Sequence, residues 1–137
     1  ECFLDWFGGS GAVGIEALSR GAGKVVWVEN NLQAQKLIYA NLEKCRFWNG
    51  EIGSKCANWV LLKMDAFQAV SVLGKRFFQF DIIYMDPPFS DDLYEECLTK
   101  LSKSELLKVS SLVVVEHHHK NILQSYLPFL RGEQVLA

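Results

Sequence analysis

Short runs of consecutive apolar residues alternate along this chain with stretches in which apolar residues recur every three or four positions. The first pattern predicts buried strands and the second predicts helices packed on them. Cys2–Trp6 is the first strand, followed by a glycine-rich turn at Gly8-Gly9-Ser10-Gly11 and a helix over Ala12–Arg20 that Gly21 ends. Glu16 and Arg20 are spaced as a surface pair on that helix. Val25–Val28 reads as the second strand, and Leu32–Lys44 as a helix with Ala34, Leu37, Ile38, Leu42 and Cys45 on one face. Phe47–Asn58 is a polar connection, long for this class of chain. Trp59–Met64 predicts a strand, Ala66–Leu73 a helix, and Phe80–Met85 a strand that Pro87 and Pro88 must stop. A helix over Asp92–Leu101, a strand over Leu112–Glu116 and a helix over Ile122–Leu130, interrupted by Pro128, complete the pattern.

Strand–helix alternation of this kind predicts an α/β fold, a mostly parallel twisted sheet with helices on both faces. The 137 residues fit one domain, expected to span 1–137. Glu1–Asp5 and Gln134–Ala137 both read as strands cut by the ends of the sequence, so the expectation is a fragment lacking an N-terminal segment and the last strand or strands. No apolar run reaches the ~20 residues of a membrane span. The net charge of −2 and the scattered lysines and arginines show no basic stripe, which weighs against nucleic acid. None of Cys2, Cys45, Cys56 and Cys97 has C-x-x-C spacing, so they read as reduced, mostly buried thiols.

Composition leaves the chemistry open; the strand ends do not. Asp5, Glu29, Asp65, Asp86 and Glu116 each fall at or near the end of an expected strand. In parallel α/β sheets ligands bind beyond the carboxyl ends of the strands, so these acids converge on one rim. Gly9-Ser10-Gly11-Ala12-Val13-Gly14 matches G-x-G-x-x-G between a strand and a helix, the context in which glycines let a ligand approach the backbone. Glu29 follows at the end of the next strand, placed to accept from ribose hydroxyls. The motif does not choose between a dinucleotide and S-adenosylmethionine. Asp65 suits both an adenine amino group and a helix N-cap, with Phe67 as an apolar wall.

Asp86-Pro87-Pro88-Phe89 narrows the class. The Asp86 carboxylate and the Pro87 carbonyl can both accept from one exocyclic amine, whose lone pair is otherwise delocalised into its base, and Phe89 offers a ring for stacking. A base must be unpaired or flipped out to reach them. His117-His118-His119 reads as an exposed run, since three consecutive residues cannot all face one ion, and no metal is expected. Trp48, in a polar loop, is the one tryptophan read as a possible RNA contact.

The stretch Asp5-Trp6-Phe7-Gly8-Gly9-Ser10-Gly11-Ala12-Val13-Gly14-Ile15-Glu16-Ala17-Leu18-Ser19-Arg20-Gly21-Ala22 resembles the opening signature of the RsmD family, small-subunit ribosomal RNA guanine-N2 methyltransferases. Phe80–Phe89 and Val115-Glu116-His117 are similar to its fourth and fifth strand ends. The resemblance implies a seven-stranded, Rossmann-like class I methyltransferase sandwich using S-adenosylmethionine. It implies that the methionine part lies near Asp5 and Gly9–Gly11, the ribose by Glu29, the adenine by Asp65 and Ala66, and the target base by Asp86–Phe89. Trp6 and Gly8 depart from it, standing where Leu and Ala are more usual, and Asn30 stands where Asp is common.

The expected cofactor-binding set is therefore Asp5, Phe7, Gly9, Ser10, Gly11, Gly14, Glu29, Asn30, Asp65 and Ala66. The catalytic set is Asp86, Pro87, Pro88 and Phe89. The expected reaction is methyl transfer to the N2 amine of a guanine in small-subunit ribosomal RNA. The expected partner is that RNA or the assembling small subunit, in a cytoplasm or a eukaryotic organelle. An adenine-N6 methyltransferase and a non-catalytic module binding S-adenosylmethionine or NAD stay open as alternatives.

Overall fold

A computed structural model of the chain describes residues 1–51, 57–76, 78–87, 91–116 and 134–136. The elements run β1 (Cys2–Trp6), α1 (Ala12–Ser19), β2 (Lys24–Val28), α2 (Leu32–Lys44), β3 (Trp59–Leu62), α3 (Ala66–Lys75), β4 (Phe80–Met85), α4 (Asp91–Ser102), β5 (Leu107–Val115) and β6 (Gln134–Leu136). The strands form one six-stranded sheet in the order β3-β2-β1-β4-β5-β6. Every neighbouring pair is parallel. The resemblance implied seven strands; six lie among the described residues.

Strand alternation sorts the side chains onto two faces. Leu4, Trp6, Val26, Val28, Ile83, Met85, Val113 and Val115 join residues of α3 and α4 in the larger core. Val25, Trp27 and Trp59 join Ile15, Leu18, Ile38 and Leu42 of α1 and α2 in the smaller one. Truncating a wholly buried residue such as Ile83 to alanine costs about 2–5 kcal/mol. The chain moves outward from β1 to β2 and β3, then returns to place β4 on the other side of β1. That reversal opens a crevice at the carboxyl ends of β1 and β4.

Four expectations are corrected. β5 begins at Leu107 and not Leu112, because a shift in pairing between Phe80 and Ile82 takes up its polar start. There the Ser111 hydroxyl is buried, donating to the Phe80 carbonyl at 2.7 Å and accepting from Lys108 N–H at 2.9 Å. β3 stops at Leu62, two residues short of Met64. On α2 the buried residues are Gln35, Ile38 and Leu42, while Leu37 and Cys45 are exposed. Gln35 sits there because its amide donates to the Glu29 carbonyl at 2.9 Å. Cys45 is thus an exposed thiol, Cys2 is half-buried and Cys97 is buried. Burial raises the Cys97 pKa to about 12.

Candidate nucleotide and acceptor site

The glycine turn is held from beneath and from both sides. Asp5 ends up 1% exposed under it, where its carboxylate accepts from Gly14 N–H at 3.1 Å. Burial pushes the Asp5 pKa up to about 7, with the Glu29 and Asp86 charges adding to the rise and bonds from Gly14 and Trp27 opposing it. Gly8 N–H reaches back to the Val28 carbonyl at 2.9 Å, and the Asn41 side chain of α2 donates to the Ser10 carbonyl at 2.9 Å. The Trp27 indole N–H donates to the Gly11 carbonyl at 3.3 Å. A side chain at position 14 would drive its Cβ into that indole, to 2.6 Å from Cε2, so only glycine fits there. Gly9 has a positive φ of 56° and nothing within 4 Å of where a Cβ would stand, so its backbone is open to a ligand.

Glu29, at the end of β2, divides its carboxylate. Oε1 accepts from Gly9 N–H and Oε2 from Asn31 N–H, each at 2.8 Å. A carboxylate has about four lone-pair sites, so each oxygen keeps accepting capacity. Asp65 is the N-cap of α3, and Oδ2 alone takes Phe67 N–H at 2.9 Å and Gln68 N–H at 3.2 Å. The two readings of Asp65 are thus compatible. Glu29, Asn30, Asp65, Ala66 and Phe7 line one cavity of about 440 Å³, walled by Phe67. Trp6 lies under it, its indole N–H fixed to the Ala66 carbonyl at 2.9 Å and its ring 5.3 Å from that of Phe7.

One strand over, Asp86 and Pro87 continue from β4, Asp86 exposed and Pro87 buried. Trp6 pairs with Met85, so Phe7 and Asp86 leave adjacent strands at the same level. Beside them Glu116 leaves β5 and is held three ways. Its N–H donates to the Met85 carbonyl at 3.0 Å, its carbonyl accepts from the Tyr94 hydroxyl at 2.9 Å, and its Oε2 accepts from the Tyr84 hydroxyl at 2.6 Å. Burial, then the bond to Glu116, holds the Tyr84 phenol well above its ordinary pKa, so it stays a donor. Pro88, Phe89, His117–His119 and the expected helix at 122–130 lie outside the described residues.

The fold therefore brings Glu29, Asn30, Asp65, Ala66 and Phe7 around one cavity, sets Gly9 and Ser10 exposed at the turn, and buries Asp5, Gly11 and Gly14 beneath it. Asp5 faces the turn's own backbone. A larger cavity of about 780 Å³ lies along α1, lined mainly by apolar groups such as Phe3, Val13 and Ile82, and contains none of the expected site residues. Trp48, the tryptophan read as an RNA contact, is half-buried: it packs 5.2 Å from Tyr39 and 6.4 Å from Trp59 and donates to the Glu51 carbonyl at 2.9 Å. Sequence reasoning missed Tyr84, Tyr94, Asn41 and the anchoring bonds of Trp6 and Trp27. A phenol or indole in an otherwise aliphatic central strand is a usable signal, because its polar atom needs a partner once buried.

A profile of the family described as conserved hypothetical protein 95 matches residues 1–131. The chain belongs to that family, the RsmD family. One relative, ribosomal RNA small subunit methyltransferase D of Haemophilus influenzae, is 34% identical over 118 residues, covering 85% of this chain and 55% of that protein. The protein of the same name from Escherichia coli is 30% identical over 118 residues, covering 86% of this chain and 54% of that one. Among solved structures, a conserved hypothetical protein of Streptococcus pyogenes superposes with a TM-score of 0.64 at 34% identity, over 78% of this chain and 60% of that one. A SAM-dependent methyltransferase from Agrobacterium tumefaciens gives 0.73 at 20% identity, over 98% of this chain and 45% of that one, which speaks to the fold alone. The chain spans little more than half the length of the curated RsmD relatives it matches.

Proposed function

We propose that residues 1–137 are the catalytic domain of an S-adenosylmethionine-dependent methyltransferase acting on the N2 amine of a guanine in small-subunit ribosomal RNA. Its partner in this reading is that RNA or the assembling subunit, in the cytoplasm or organelle where subunits are made. The relatives' names support the substrate class. The observation that carries the reading is local: Asp86-Pro87 leaves β4 directly beside the glycine turn that leaves β1. A nucleotide cavity and an amine-gripping motif thus share one crevice.

The residues fit the cofactor. Gly9 offers open backbone, Glu29 keeps accepting capacity on both oxygens for ribose hydroxyls, and Asp65 caps its helix through Oδ2 alone. In this reading Phe7, Ser10, Asn30 and Ala66 complete the contact surface, while Asp5, Gly11 and Gly14 keep the turn in shape. Bound S-adenosylmethionine supplies an electrophilic methyl group on a positively charged sulfur. The protein's own contribution is alignment: Asp86 and the Pro87 carbonyl accept the amine hydrogens, favour a pyramidal nucleophilic nitrogen, and let Asp86 take the proton released as the N–C bond forms. In this reading Phe89, which follows the two prolines in sequence, is the residue expected to stack on the base. No side chain needs to bond covalently to the substrate.

The test is Asp86→Ala in the full-length protein, with labelled S-adenosylmethionine, small-subunit RNA and nucleoside analysis of the product. Turnover to N2-methylguanosine is expected to fall on the order of 100- to 1000-fold, with S-adenosylhomocysteine affinity retained. Near-normal turnover overturns the mechanism, and N6-methyladenosine as the wild-type product assigns the adenine reaction instead.

A further inference from the structure

We propose that Glu116, held in place by Tyr84, selects guanine over adenine as the base presented to Asp86. The inference rests on the guanine reading above and extends it to a residue outside the Asp86–Phe89 motif.

The geometry begins with the sheet. Met85 of β4 pairs with Val115 of β5, so Asp86 and Glu116 leave neighbouring strands at the same level, and the Glu116 N–H to Met85 carbonyl bond continues the ladder to that point. Neighbouring strands lie ~4.8 Å apart, close enough for side chains from both to reach one edge of a flat ring. Glu116 is exposed, yet its backbone and carboxylate are fixed by three bonds, two of them from tyrosine hydroxyls of different elements. An exposed glutamate ordinarily keeps its rotamer freedom, because fixing it costs entropy. Tyr84 fixes this one through Oε2, and Oε1 is not used in that bond.

A guanine presents two adjacent donor groups on its Watson–Crick edge, the N2 amine and N1–H. Asp86 and Pro87 take the amine. The next acceptor along the same edge, on the β5 side, takes N1–H. Adenine carries a bare N1 acceptor beside its amine, and a carboxylate there meets a lone pair with a lone pair. The arrangement therefore attracts one purine and repels the other. The Tyr84 hydroxyl cannot reverse this preference, since its only proton is already committed to Glu116.

The experiment uses full-length protein and small-subunit RNA rebuilt by ligation and reconstituted with its proteins. At the position that the wild-type protein methylates, the RNA carries either guanine or 2-aminopurine, which keeps the C2 amine but has a bare N1. The wild type is expected to prefer guanine in kcat/KM on the order of 10- to 100-fold. Glu116→Gln, whose amide can accept from or donate to N1, is expected to bring that ratio close to one. Tyr84→Phe is expected to lower it partway. A general structural defect would depress both substrates together and leave the ratio unchanged. An unchanged ratio in both variants overturns the role of Glu116 while leaving guanine methylation intact. A wild-type protein that yields no N2-methylguanosine overturns both readings.

Discussion

The two ends of the sheet treat charge in opposite ways. At the amino end Asp81 is paired with Lys108 and accepts Cys2 N–H at 2.7 Å, and Lys24 stands 4.7 Å over the Phe78 ring. Side-chain charge there meets opposite charge or an aromatic face. At the carboxyl end Asp5, Glu29 and Asp65 turn instead to backbone N–H groups of the turn and helices beside them, and Glu116 to a tyrosine hydroxyl. Neutral donors fix the shape of these groups without bringing an opposite charge to them. One end pairs its charges off, while the other holds its carboxylates with neutral donors along the rim where parallel sheets bind their ligands.

Three measurements would sharpen or break this contrast. The largest effect concerns the opposite pH behaviour of the two aspartates. Asp5 has its pKa raised from 3.8 to about 7, so its contribution is fully present below about pH 4 and is lost as the pH rises towards 7. At ~1.4 kcal/mol per pH unit the fall is at most about 4 kcal/mol. Asp81 is held below the ordinary carboxylate range, chiefly by its bond to Lys108, so its contribution is present at neutral pH and is lost in acid. Urea unfolding across pH 4–8 should show stability declining with pH, and Asp5→Asn should flatten the decline. An equally steep decline in that variant would remove Asp5 as its source.

The second effect is on binding. Glu29→Ala removes one bond to Gly9, one to Asn31 and the proposed ribose acceptor. Titration with S-adenosylhomocysteine should show roughly tenfold weaker affinity, and NADH should bind neither protein. Unaltered affinity would mean that Glu29 shapes the turn without meeting a ligand. The smallest effect is at the amino end. Lys108→Ala breaks a partly exposed pair and should cost no more than about 1 kcal/mol, with cofactor affinity unchanged. A loss of affinity there would show that the two ends are coupled.

Periodicity made much of this legible. The bounds of α2 and β4 coincide with the pattern, and the glycine turn, the Asp65 cap and the acidic rim all stand where strand ends were expected. The Glu16–Arg20 pair forms at 2.8 Å, and Gly21 closes α1 with a φ of 95°. The start of β5 was hidden because Lys108, Ser110 and Ser111 break its apolar pattern, and only the buried Ser111 hydroxyl bond and the pairing shift make that stretch a strand. The α2 face was misread because a buried glutamine looks polar until its carbonyl partner is known. Asp5 looked like a ligand contact because a strand-end acid beside a glycine turn fits either role. Its burial, visible only in three dimensions, turns it towards the turn's own backbone. Tyr84 and Glu116 meet across 32 positions of sequence, a separation that no local pattern encodes.

The indole of Trp27 fills the space that any side chain at position 14 would need, while its N–H holds Gly11. The two positions are therefore sterically coupled. With tryptophan at 27, every replacement of Gly14 meets the ring. Where a smaller residue precedes it at 27, alanine at 14 becomes admissible, but Gly11 loses its anchor. With tryptophan at 27, glycine at the first turn of α1 is a demand of packing as well as any demand of a ligand.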